Sequence, residues 1–108
     1  MTYQNALRVL ADPTRRQVFE RLRSGPLVVN AIAAGLPVSR PAVSQHLKAL
    51  KAAGLVGERS EGVRRIYSVR RDGLADLRQW LDSFWEDALE AFKQEAERPR
   101  SKKPRSRS

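Results

Sequence analysis

The hydrophobic period of this chain changes twice, and a glycine stands at each change. Between Ala6 and Leu50 apolar residues recur at helical spacing, and after Gly54 the period drops to two. Past Arg71-Asp72-Gly73 the helical period returns and holds to Phe92. This pattern restricts the fold to short helices, then a β-hairpin, then one long closing helix. With 108 residues the chain has room for one core and not for two.

The expected elements follow from local chemistry. Ala6, Leu7 and Leu10 mark an amphipathic helix over residues 3–10. Asp12-Pro13 reads as an N-cap with proline at the first helical position. The helix it opens turns Val18, Phe19 and Leu22 inward and Arg15, Arg16, Glu20 and Arg23 outward, and Ser24-Gly25-Pro26 stops it. Val29, Ile32, Ala33 and Leu36 define a short helix that Gly35 and Pro37 bracket. Ser39 caps the next, Pro41 lies in its first turn, Val43, Leu47 and Leu50 form its buried stripe, and Gly54 ends it. Residues 55–60 and 63–69 are two β-prone runs around Glu61-Gly62. The last helix carries Leu74, Leu77, Leu81, Phe84, Trp85, Ala88, Leu89 and Phe92. Residues 1–98 are thus expected to form one domain. Residues 99–108, rich in Pro, Ser, Lys and Arg, are expected to be a disordered basic tail.

Composition narrows the function. The chain has no cysteine and a single histidine, His46, which removes thiolate metal sites, disulfides and any pair of imidazoles. It offers no Ser/His/Asp set and no phosphate loop, so no catalytic residue, cofactor or metal is assigned. Asp82, Glu86, Asp87 and Glu90 lie at helical spacing and read as a solvated face rather than a cation site. No run approaches 18 apolar residues, and the first residues lack a signal-peptide pattern, so a cytoplasmic protein with no membrane partner is expected. The formal charge of +9 points to a polyanion, although six of the 21 Lys and Arg lie in the last eleven residues.

The two short helices before the hairpin have the order of a helix-turn-helix, whose second helix enters the major groove of DNA. On that helix Pro41, Ser44, Gln45 and Lys48 share a face opposite the buried stripe, and Arg40 stands at its N-terminal end. Gln pairs with adenine, Arg with guanine and Ser with either, while Lys48 and Lys51 suit phosphates. His46 lies beside the buried stripe and is expected to bond backbone or a phosphate. The candidate recognition set is therefore Ser39, Arg40, Pro41, Ser44, Gln45, His46 and Lys48. Arg59, Arg64 and Arg65 lie near the hairpin tip. Charge there can simply protect an edge strand, but such density beside a Gly turn favours a wing that touches DNA backbone or the minor groove.

Three segments carry a family resemblance: Leu10-Ala11-Asp12-Pro13-Thr14-Arg15-Arg16, then residues 38–48, then Ala53-Gly54-Leu55-Val56. Together they closely resemble the ArsR family of winged-helix repressors, and Gly62-Val63-Arg64-Arg65-Ile66-Tyr67 resembles that family's wing. The resemblance spans about residues 3–95. It implies a mostly α fold with a β-hairpin wing, a winged helix-turn-helix that dimerises through its first and last helices. The implied interface is Leu7, Leu10, Leu77, Trp80, Leu81, Phe84, Trp85, Ala88 and Phe92. An independent reason points the same way, because apolar residues on more than one face of the last helix exceed what so short a monomer covers. Many members sense metals through cysteines or through Asp/His sets on the last helix. Lacking these, the chain resembles the branch without a metal site, simple repressors often acting on their own operon. The expected function is a homodimeric regulator on an inverted-repeat double-stranded DNA operator; the alternative is a non-specific DNA- or RNA-binding basic protein.

Overall fold

A computed structural model describes residues 3–97; the basic tail expected over residues 99–108 lies outside the described residues. The elements are α1 (Tyr3–Leu10), α2 (Pro13–Arg21), β1 (Leu27–Val28), α3 (Val29–Ala34), α4 (Arg40–Ala52), β2 (Val56–Glu61), β3 (Arg64–Val69) and α5 (Arg71–Glu97). The helices form where the apolar period places them, and the starts of α2 and α4 are held by side chains. Asp12 Oδ1 accepts the backbone N–H of Arg15 at 3.0 Å, and that bond holds the Asp12 carboxyl below its ordinary pKa. The cap is therefore complete above the ordinary carboxylate range and is lost as pH falls through the lowered value. Ser39 Oγ accepts the N–H of Ala42 at 3.2 Å and opens α4 in the same way.

Helix α3 has only six residues, too few to persist alone. Its far end is closed from outside. The guanidinium of Arg21, on α2, donates to the carbonyls of Ala31 (2.8 Å) and Ile32 (3.4 Å), in the last turn, where helix carbonyls lack the usual partners; the Ile32 carbonyl also accepts the Gly35 N–H at 3.2 Å. Leu36, expected in this helix, falls just beyond it and still packs against the core.

The sheet has three strands in the order β1-β3-β2, all antiparallel. Sequence periodicity predicts only the hairpin. β1 escapes it because two residues show no period; Leu27 and Val28 become a strand by pairing with Tyr67 and Ile66. Val63, expected in the second strand, instead lies in the turn after Gly62 and is fully exposed, at 100%. Gly62 has φ +64°, a left-handed conformation that a tight hairpin turn requires and that favours glycine.

Val18, Leu22, Ile32, Val43, Leu47, Leu50, Leu55 and Val56 are fully buried, each contributing about 1.5–3 kcal/mol by removal from water. They tie α2, α3 and α4 to the base of the sheet. At the junction Gly54 ends α4 with φ +81°, and Arg70 N–H donates to the Leu55 carbonyl at 2.8 Å. That bond starts α5 directly against the end of α4. Gly73 is buried in this contact, and a Cβ on it would run into the Gly54 carbonyl oxygen and lie 2.9 Å from its carbon.

Helix α5 packs on α1, where Tyr3 stacks on Trp80 with ring centroids 5.1 Å apart. Beyond Trp80 every described residue of α5 is exposed, including Phe84 (67%), Trp85 (61%) and Phe92 (71%). No helix among the described residues is long and apolar enough to cross a membrane.

Candidate nucleic-acid interface

The buried stripe of α4 decides what its opposite face presents. With Val43, Leu47 and Leu50 fixed in the core, Ser39, Arg40, Pro41, Ser44, Gln45 and Lys48 are exposed. Ser44, Gln45 and Lys48 have no side-chain partner among the described residues, so their polar atoms are available to an external surface. Ser39 accepts the cap bond and keeps its O–H to donate, and Pro41 has no polar side-chain atom to give. Arg40 is held by the start of α3, its Nη1 donating to Asn30 Oδ1 at 2.6 Å.

His46 is half-buried and has a partner that sequence reasoning does not name. Its Nδ1 accepts a hydrogen bond from Arg15 Nε at 3.3 Å. A side chain of α2 thus holds Nδ1, a partner beyond the backbone or phosphate expected for this residue. The cause is the packing of α2 on α4, which brings together residues 31 apart in sequence. An acceptor at Nδ1 requires that nitrogen to be unprotonated.

Strand register divides the wing arginines. Arg59 pairs with Ile66 and Glu61 with Arg64 on one face, whereas Ser60 pairs with Arg65 and Glu58 with Tyr67 on the other. Arg64 is exposed with no side-chain partner among the described residues, and Arg59 meets Glu61 at 3.3 Å. Arg65 instead joins a bridge back to α4: Glu58 receives Arg65 at 3.1 Å and Lys51 at 3.0 Å. The Lys51 hydrogen bond, opposed by desolvation and helped by Arg65, holds the Glu58 carboxyl below its ordinary range. At neutral pH the bridge is complete, and it dissolves only as pH falls through that lowered value. Neither Asn30 nor Glu58 carries a local sequence signal, because each matters only through a residue that the fold brings to it.

A cleft of about 410 Å³ separates the start of α3 from the wing, lined by Val28, Val29, Asn30, Val63, Arg64 and Arg65. Among the described residues no acidic side chain lines it. Helix α4, cleft and hairpin together offer hydrogen-bond donors and positive charge. Among the described residues no group of three or more His, Cys, Asp or Glu is placed to hold a metal ion.

Of the residues expected at a dimer contact, Leu7, Leu81, Phe84, Trp85, Ala88 and Phe92 are exposed, and Leu10, Leu77 and Trp80 are half-buried. Trp80 is covered in part by Tyr3 of the same chain. Leu77, Leu81, Phe84, Trp85, Ala88 and Phe92 form an apolar stripe on α5 at three- and four-residue spacing, continued by Leu89, while Leu7 and Leu10 lie on α1.

Residues 10–59 match the model of a helix-turn-helix domain family. The chain is 56% identical to the HTH-type transcriptional regulator Rv2034 of Mycobacterium tuberculosis, over 82% of this chain and 83% of that one. It is 31% identical to the transcriptional repressor SdpR of Bacillus subtilis, over 74% and 89% of the two chains. Its fold matches a homodimeric winged helix-turn-helix DNA-binding domain from Mycobacterium bovis, Mb0332, described as a possible ArsR-family regulator. That match has a TM-score of 0.63 and 30% identity, and it covers 82% of each chain.

Proposed function

Because this chain belongs to the ArsR family of winged helix-turn-helix transcriptional regulators, we propose that it acts as a homodimeric repressor on an inverted-repeat operator. The observation that carries this reading is the α4 face, where Ser44, Gln45 and Lys48 stand exposed, together with an exposed Arg64 on the wing. Two such helices related by a two-fold axis reach half-sites about one or two helical turns apart, roughly 34 Å per turn. The proposed interface is the apolar stripe of α5 with Leu7 and Leu10 of α1. Without cysteine, release from DNA does not run through a thiolate metal sensor. No catalytic role is assigned, and the proposed place of action is the cytoplasm. Autorepression is part of the proposal, and unchanged reporter output from the native promoter after deletion of the gene would sink that part.

The direct test is fluorescence anisotropy on the gene's own upstream fragment against a scrambled fragment, at two salt concentrations. A preference that survives higher salt supports site-specific regulation. Equal binding that vanishes with salt supports the alternative, a non-specific basic DNA- or RNA-binding protein. Gln45→Ala is expected to cost on the order of 1–3 kcal/mol and to relax the preference at one base position. A loss equal on every sequence would place Gln45 on phosphate instead.

Two further outcomes concern charge. Glu58→Gln removes the acid that engages Lys51 and Arg65, so the salt dependence of DNA binding is expected to steepen. The slope changes by about 0.9 for each additional phosphate that a cation neutralises, and identical slopes would show that neither cation reaches a phosphate. Truncation after Glu97 is expected to flatten the same slope while leaving sequence preference intact, since the basic residues beyond it act on backbone alone. Equal slopes for the full and truncated chains would remove the tail from the interface.

A further inference from the structure

Asn30 is the second residue of α3 and is exposed, yet its Oδ1 accepts from Arg40 Nη1 at 2.6 Å. The bond joins the N-terminal ends of the two helices of the helix-turn-helix, and a recognition helix meets base edges with its N-terminal residues. We propose that Asn30 is a positioning residue: its carboxamide orients the Arg40 guanidinium to read one base pair. The inference rests on the operator-binding reading above and names a residue through which that reading is achieved.

Three physical points support it. An arginine docking on a base loses rotamer freedom, and one already held in place loses less while its planar fork is aimed in advance. Only one of the five guanidinium N–H groups is engaged by Asn30. Two more are needed for the paired contact to O6 and N7 of guanine, and four remain. Finally, the holder is neutral. Lys51 and Arg65 are held by a carboxylate, Glu58, which offsets their charge. Asn30 orients Arg40 without offsetting its charge. With Oδ1 turned toward Arg40, its amide keeps two N–H donors to offer, beside a cleft lined by Arg64 and Arg65. Such surroundings suit a phosphate beside the base that Arg40 reads.

The test starts from a random duplex DNA pool enriched with the wild-type protein. Anisotropy is then measured for wild type, N30A, R40A, the double variant and N30D on the enriched duplex and on every single base-pair change of it. N30A is expected to lose about tenfold in discrimination at one base position, the same position that R40A affects, with no further loss in the double variant. N30D keeps the acceptor for Arg40 and so keeps that preference, but binds every duplex more weakly because it sets a negative charge beside the phosphates. N30A that discriminates like wild type overturns the proposal, as do N30A and R40A losses that fall at different positions or multiply. N30A that weakens all duplexes equally overturns it too, since a purely structural role or a phosphate contact does that. If wild type enriches no motif at all, the operator-binding reading fails and the positioning role fails with it. Wild-type enrichment with unchanged N30A discrimination sinks the positioning role alone.

Discussion

Phe84→Glu is expected to split the regulator into monomers and to cut its affinity for an inverted-repeat operator by roughly a hundredfold or more. Phe84 is 67% exposed in the single chain, within an apolar stripe that continues through Trp85, Ala88 and Phe92. Within the protomer its ring stacks on Trp80 with centroids 6.2 Å apart, outside the buried core, so the variant should keep its helical circular dichroism. In a two-fold dimer each substitution occurs twice, and a charge buried without a partner is far more costly than the lost contact. A monomer meets one half-site at a time and forfeits the high effective concentration that a linked second helix supplies. Light scattering coupled to gel filtration reads the assembly state, and anisotropy reads the affinity. Phe84→Leu, which keeps an apolar side chain, should remain dimeric. A dimer that persists with glutamate at this position would place the interface elsewhere.

The second large effect is on stability. Gly73→Ala is expected to lower the unfolding free energy by at least about 2 kcal/mol, or roughly 10 °C in midpoint for a domain of this size. Helix propensity alone argues the opposite, because alanine is favoured over glycine by about 1 kcal/mol inside a helix. Sterics decide it. An added Cβ at Gly73 meets the backbone carbonyl of Gly54 and lies 3.3 Å from the Leu55 Cα, and backbone there cannot yield without disturbing the α4–β2 junction. The strain falls where α5 begins, so dimerisation should weaken along with folding. Thermal unfolding of the two proteins checks this. An alanine variant as stable as wild type would mean that α5 shifts away from Gly54 at no cost.

Most of the elements are legible in the sequence because their causes are local. Asp12-Pro13 and Ser39 announce helix starts through groups that bond within three residues. Val43, Leu47 and Leu50 occupy one helical face, so the exposure of Ser44, Gln45 and Lys48 follows. What escapes has causes distant in sequence or specific to a turn. β1 exists only through its pairing with β3, and Val63 sits in the turn although a β-branched residue beside a glycine reads as strand. The place of His46 beside the buried stripe is legible, but its partner, Arg15, comes from another helix.

The same division holds for the interface. Period and capping act over a few residues, and they suffice to set the order of elements, the exposed polar face of α4, the cluster of arginines at the hairpin and the excess of apolar residues on the last helix. Which of those charges are already engaged is settled by tertiary packing alone. It links Lys51 and Arg65 through Glu58, leaves Arg64 exposed, sets Asn30 against Arg40, and covers Trp80 with Tyr3 while leaving Phe84 and Trp85 bare. Each of those outcomes depends on how separate elements come together in space. Hydrogen bonds and ring contacts act over a few ångströms, and sequence spacing carries no record of which distant residues will come that close.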